Sequence, residues 1–230
     1  MQSKQARNLI SSALFAIGGL MIPTLSGATV VYDTWDSNEA PNGNYVLTIT
    51  QNGSTFDFHL TVSPWNAEVL GLFIDLGNVN LPGAITLSNV APAGEVAVVG
   101  QDTSSDSCGS GCNLNGLNPT LPFPDGQWEM VFRLGDNGYD GIQTFSWTTQ
   151  DFGLTEAAFG VVGIRAQQLC APGDTLPTDR CGDSDKVVGT PNDPEDPEDP
   201  DDPQPVPEPA SLALLGIALA GLGLSRRRRS

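Results

Sequence analysis

The stretch that decides the fold is Tyr45-Val-Leu47-Thr-Ile49-Thr-Gln51-Asn52-Gly53-Ser54-Thr-Phe56-Asp-Phe58-His59-Leu60-Thr-Val62-Ser63. Tyr45, Leu47 and Ile49 alternate with polar residues, and so do Phe56, Phe58, Leu60 and Val62. A period of two puts each set on one face of an extended strand. Asn52-Gly53 between the runs is a two-residue turn signal, because both residues tolerate positive φ. The segment therefore reads as a β-hairpin with one buried and one wetted face.

Working outward, the same signature recurs through residues 29–190. Ala67 to Leu76 is apolar on both faces, with Leu70, Leu72, Ile74 and Leu76 expected on one side and Val69 and Phe73 on the other, as in a central strand. Ile85 to Val90 and Glu95 to Val99 read as further strands. Gln127 to Leu134 aligns Trp128, Met130, Phe132 and Leu134; Gly141 to Thr149 aligns Phe145 with Trp147; Phe159 to Ala166 supplies Val162, Ile164 and Ala166. Eight or so short strands without a long helix, punctuated by 26 glycines and 18 prolines, predict an all-β fold: an antiparallel, jelly-roll-like β-sandwich. Four cysteines suit an oxidising compartment. Of the three possible pairings, sequence proximity favours Cys108 with Cys112 and Cys170 with Cys181.

The two ends are of another kind. Lys4 and Arg7 precede a mostly apolar run from Leu9 to Ile22, and Ser26-Gly27-Ala28 supplies the small residues a signal peptidase requires, so 1–28 reads as a signal peptide. Residues 191–209 hold eight prolines and eight carboxylates, including Asp193-Pro194-Glu195-Asp196-Pro197-Glu198-Asp199-Pro200. Proline stiffness and like-charge repulsion both extend such a chain, so 191–206 is expected to be a disordered Pro/Asp/Glu linker, a stalk. Ala210 to Leu224 is uncharged and precedes Arg226, Arg227, Arg228 and Arg229. As a helix at about 1.5 Å per residue it covers about 22 Å, short of a hydrocarbon core of about 30 Å by an amount that snorkelling arginines and local thinning absorb. A single membrane helix over 210–225 is expected, with its arginine stop on the cytoplasmic side.

The ending Val206-Pro207-Glu208-Pro209-Ala210-Ser211, followed by a Leu/Ala/Gly helix and an arginine cluster, resembles the PEP-CTERM sorting signal of Gram-negative bacteria. The resemblance covers only the tail, 207–230. It implies processing by exosortase, a membrane cysteine transpeptidase, with Pro207, Glu208 and Pro209 as recognition residues. It further implies an inner-membrane precursor facing the periplasm, then delivery to the outer surface or beyond, often alongside exopolysaccharide.

The formal charge is -17, and once both ends are removed only Arg133, Arg165, Arg180 and Lys186 remain basic. Such a surface repels phosphate backbones, which excludes nucleic acid as a partner. The one histidine, His59, falls on the polar face of its strand, and no G-x-S-x-G elbow exists. Gly182-Asp183-Ser184 superficially resembles a GDSL-type nucleophile block, but no histidine follows it. No catalytic residue and no cofactor is assigned. Asp136 and Asp140 in Asp136-Asn-Gly138-Tyr139-Asp140-Gly141, and the run Asp174, Asp179, Asp183, Asp185, offer oxygen ligands for calcium without EF-hand spacing. A zinc site at the cysteines is set aside for want of a neighbouring histidine. Trp35 and Trp65 fall in loops, where an indole can stack on a sugar ring. The expected function is a non-enzymatic surface or extracellular-matrix protein; the alternative is a carbohydrate-binding module for exopolysaccharide, with or without calcium, and a secreted hydrolase comes third.

Overall fold

A computed structural model describes residues 27–37, 42–117, 126–178 and 181–192. The signal-peptide reading apart from Gly27 and Ala28, the linker beyond Asn192, the sorting segment with its membrane helix, and Asp179 and Arg180 lie outside the described residues. The strands are β1 (Thr29–Tyr32), β2 (Asp36–Ser37), β3 (Tyr45–Asn52), β4 (Thr55–Val62), β5 (Glu68–Ile74), β6 (Ser88–Ala91), β7 (Val96–Thr103), β8 (Trp128–Leu134), β9 (Thr144–Gln150), β10 (Val162–Leu169) and β11 (Asp183–Gly189). A single 3-10 turn, Glu156–Ala158, is the sole helical element among them. No helix among the described residues is long and apolar enough to cross a membrane.

The strands form two antiparallel sheets, ordered β1-β3-β4-β9-β6 and β2-β11-β10-β5-β8-β7. The hairpin read from residues 45–63 is present, with Leu47 opposite Leu60 and Ile49 opposite Phe58. Its apolar face joins the main core, where Phe58 stacks on Trp147 with centroids 5.0 Å apart and Phe132 of the other sheet lies 5.1 Å from Trp147. Aromatic pairs of this kind add about 0.5–1.5 kcal/mol beyond their area burial, so this triad joins the sheets at their centre. The outer face of the first sheet is wet and rich in hydroxyls, with Thr48, His59 and Ser146 in register and His59 exposed.

The second sheet is covered on both sides, and here two sequence expectations are corrected. Leu70 does not share a face with Leu72, Ile74 and Leu76; it joins Phe73 in a second cluster on the outer side, while Val69 points into the main core. The cause is a register shift: Arg165 pairs with Gly71 and Ala166 with Val69, leaving Leu70 without a partner across the strand. One extra residue inverts the alternation behind it. Trp128 likewise leaves the Met130, Phe132 and Leu134 face for the outer cluster, where it packs on Phe73 at 5.5 Å and donates its indole N–H to Asp106 Oδ1 at 3.0 Å. Residues 85–87 fall outside β6, which begins at Ser88, whereas β7 runs on to Thr103.

The outer cluster is closed by the loop after β7. Cys108, Cys112 and Leu114 pack onto Leu70, Phe73, Val131 and Val161. The Cys108–Cys112 disulfide tightens that loop, and a second disulfide joins Cys170 to Cys181. Gly71 makes room for the first: a Cβ there would lie 2.4 Å from Cys108 Sγ.

Candidate functional site

Loops converge at the end of the sandwich where β4 leaves and β5 begins. Asn44 N–H donates to Asn66 Oδ1 at 2.8 Å, Asn44 Nδ2 donates to Pro64 O, Leu176 N–H donates to Trp65 O at 2.8 Å, and Cys170 N–H donates to Asn66 O. The loops before β3, between β4 and β5, and after β10 are thereby fixed to one another. The loop between β8 and β9 completes the group. Its Tyr139 stacks on Trp65, with centroids 6.0 Å apart and planes inclined by 29°, and Tyr139 is 38% exposed. Trp65 is half-buried, and its buried indole N–H has no hydrogen-bond partner among the described residues.

Against the loop that carries Tyr139 lies Glu68, the first residue of β5, which is only 1% exposed. Its Oε1 accepts from the backbone N–H groups of Asp140, at 3.2 Å, and Gly141, at 2.9 Å. Its Oε2 has no hydrogen-bond partner among the described residues. Asp140 is folded back on its own loop, with Oδ2 accepting from Asp136 N–H at 3.0 Å and Oδ1 from Ile142 N–H at 2.9 Å. Asp136 itself is exposed. Arg133 donates to Gly135 O and to Asn137 Oδ1, and its charge acts on Asp136 and Asp140. Gln167 Nε2 donates to the carbonyls of Asp136 and Gly138. The loop presenting Tyr139 is therefore held from below and from both sides.

The electrostatics follow from burial. Desolvation pushes the Glu68 carboxyl above its ordinary value; the Gly141 N–H pulls it back, and the neighbouring Asp140 carboxylate raises it further. A second buried carboxylate, Asp185, is also pushed up, chiefly by desolvation. Asp185 accepts from Ser37 Oγ at 3.4 Å, Gly43 N–H at 2.8 Å and Tyr45 OH at 3.0 Å. These contacts make it a structural node tying β2, β3 and β11. Tyr45 is held far above its usual phenol range by burial and by Asp185.

The residues singled out from sequence thus fall into two groups. Trp65, Asp136 and Asp140 come together with Tyr139. Trp35 is half-buried and committed elsewhere: its indole N–H donates to Tyr45 O at 2.8 Å and its ring stacks on Tyr32 at 6.2 Å. Of the acidic run, Asp174 lies exposed in the loop closed by Cys170 and Cys181, while Asp183 and Asp185 lie in β11. Sequence reasoning passed over Glu68, although a carboxylate inside the apolar run Ala67-Glu68-Val69-Leu70 was a signal. Among the described residues, no group of three or more His, Cys, Asp or Glu side chains is arranged to hold a metal ion.

Comparison with known proteins bears on the tail. Residues 205–229 match the PEP-CTERM protein-sorting motif, which holds Pro207, Glu208, Pro209 and the arginines 226–229 and implies a secreted protein processed at the membrane by exosortase. No curated protein and no solved structure matches the chain.

Proposed function

We infer that the chain is an exported, non-enzymatic surface or matrix protein: a β-sandwich head carried on an acidic proline stalk, held as a membrane precursor by one helix and released or attached when exosortase acts on the tail. The observation that carries this reading is the sorting motif at 205–229, joined to the head through the proline-acidic segment that begins at Pro191. Expression of tagged wild-type chain and of a chain ending at 206 in an exosortase-bearing host tests it. The wild type is expected at the surface or in the medium, with Arg226 to Arg229 absent from its mass; an exported form that keeps those arginines, or identical distribution of the two chains, overturns the reading.

A second reading is favoured by one observation, the stacked Trp65 and Tyr139 at the loop end of the sandwich. An exposed aromatic platform beside carboxylates suits a sugar ring, whose C–H face stacks while its hydroxyls donate. The head would then hold exopolysaccharide. Loss of glycan-array binding in Tyr139→Ala and Trp65→Ala supports this module; wild-type protein that binds no glycan removes it and leaves the surface-protein reading intact.

A further inference from the structure

Asn-Gly occurs four times in the sequence, at 42–43, 52–53, 115–116 and 137–138. A glycine after asparagine presents a backbone nitrogen with no Cβ beside it, so that nitrogen can approach the side-chain carbonyl carbon. The fold treats the four pairs differently. Gly43 N–H is buried and donates to Asp185 Oδ2 at 2.8 Å, and Asn42 Nδ2 donates to Trp35 O. Asn52 ends a paired strand, opposite Thr55, and its Nδ2 donates to Asp57 Oδ2. Asn115-Gly116 is the centre of a turn closed by Leu117 N–H on Leu114 O at 3.0 Å. Asn137 differs from all three: it is exposed, its Oδ1 accepts from Arg133 Nη2 at 2.9 Å, and no described group holds its Nδ2 or the Gly138 N–H.

We propose that Asn137 is a site of spontaneous deamidation, which places a new carboxylate and, in the isoaspartyl form, a lengthened backbone in the loop that presents Tyr139. The Gly138 nitrogen gives its proton to hydroxide and bonds to Asn137 Cγ, and the carbonyl electron pair moves onto Oδ1. Collapse of that oxyanion breaks the Cγ–Nδ2 bond, and Nδ2 leaves as ammonia with a proton from water. Water then opens the resulting succinimide at either carbonyl, giving aspartate or isoaspartate at 137. Arg133 is placed to stabilise the oxyanion, because a charged donor aimed at the atom where negative charge develops lowers the barrier. Its guanidinium is fixed beforehand: Arg133 stands in β8, paired with Gly71, and also donates to Gly135 O and Ser110 O. Donation from Nδ2 to an acceptor, as at Asn42 and Asn52, does the reverse by leaving the carbonyl richer in electrons. The isoaspartyl link adds one backbone atom ahead of the Gly138 carbonyl, which Gln167 Nε2 holds, and so loosens Tyr139 from Trp65.

The test is peptide mapping by mass spectrometry of the full mature chain after storage at mildly alkaline pH, in native buffer and in urea. In native buffer the peptide holding Asn137 is expected to deamidate about tenfold faster than those holding Asn42, Asn52 and Asn115. In urea the four are expected to react at similar rates, since only the fold tells them apart. Arg133→Gln is expected to slow the native reaction at Asn137 by about three- to tenfold. Should Arg133→Gln fail to fold, the comparison of native with unfolded wild type decides. The proposal is overturned if Asn137 stays intact in native buffer while Asn52 or Asn115 reacts, or if the native ranking is the same as that in urea. A rate at Asn137 that Arg133→Gln leaves unchanged or raises also overturns it, because the hydrogen bond then only immobilises the amide. Glycan binding plays no part in the readout, so the outcome is independent of the Trp65–Tyr139 sugar reading.

Discussion

Gly71 lies directly under the Cys108–Cys112 disulfide, so close that an added Cβ would stand 2.4 Å from one sulfur and 2.6 Å from the other. Gly71 is in the central strand β5, between β10 and β8, so its backbone cannot retreat without disturbing both neighbours. Gly71→Ala must therefore lift the loop that covers Phe73, Trp128 and Val131. Overpacking of this kind costs about 1–3 kcal/mol. Urea denaturation is expected to show that loss, and Trp128 fluorescence is expected to shift to the red as the loop rises. An alanine variant as stable as wild type would show that the loop is not fixed by this contact.

The Cys170–Cys181 bridge spans 11 positions and closes the loop that donates Leu176 N–H to Trp65 O. In the chain-entropy account a closed loop of this length contributes about 2–3 kcal/mol. Cys170→Ser/Cys181→Ser is expected to destabilise the head by that amount and to loosen Trp65. Alkylation without reduction is expected to label none of the four cysteines in wild type; labelling of all four would refute both bridges.

Much of this architecture was legible in residue order. The hairpin from Tyr45 to Val62 needed only alternation and Asn52-Gly53, since one wet face makes the period visible. The second sheet was harder because β5 is buried on both faces, and an apolar run carries no phase with which to detect the extra residue at Leu70. Trp128 escaped for a related reason: its outward face is covered by a loop more than ten residues distant, whose Asp106 supplies the indole with an acceptor. At the loop end, Trp65 and Asp140 were visible as residue types, but their meeting depends on Glu68 and on loops brought together by β4, β8 and β10. Contacts of that kind have no local sequence signature.

Stability is expected to fall as pH rises above the ordinary carboxyl range. Glu68 and Asp185 both have folded-state values raised by burial, so the folded state binds more protons than the unfolded chain in the interval between the two values. Their contribution is complete below about pH 4, the unfolded value, and is lost as pH climbs through the raised folded values. Measured in chelator, so that no divalent ion intervenes, urea midpoints of Glu68→Gln between pH 4 and pH 8 are expected to decline less than those of wild type. Parallel profiles would show that Glu68 titrates normally.

The head also holds the start of the proline-acidic segment. β11 pairs with β2, with Val187 opposite Ser37 and Val188 opposite Asp36, and the chain continues until Asn192 N–H donates to Val31 O at 2.9 Å and Asn192 Nδ2 donates to Asp33 Oδ1 at 3.0 Å. Two residues further on the sequence has Pro194, which has no N–H to donate. Prolines then recur every third residue to Pro203, each without an N–H. Asn192→Pro removes the last N–H donor as well as the side-chain contact, and is expected to cost about 1–2 kcal/mol, a fall of roughly 2–8 °C in melting temperature. Pro194→Ala, which restores an N–H to the chain beyond Asn192, is expected to leave the head as stable as wild type or slightly more so. Equal melting of Asn192→Pro and wild type would mean that the edge of β1 is not closed by the departing chain.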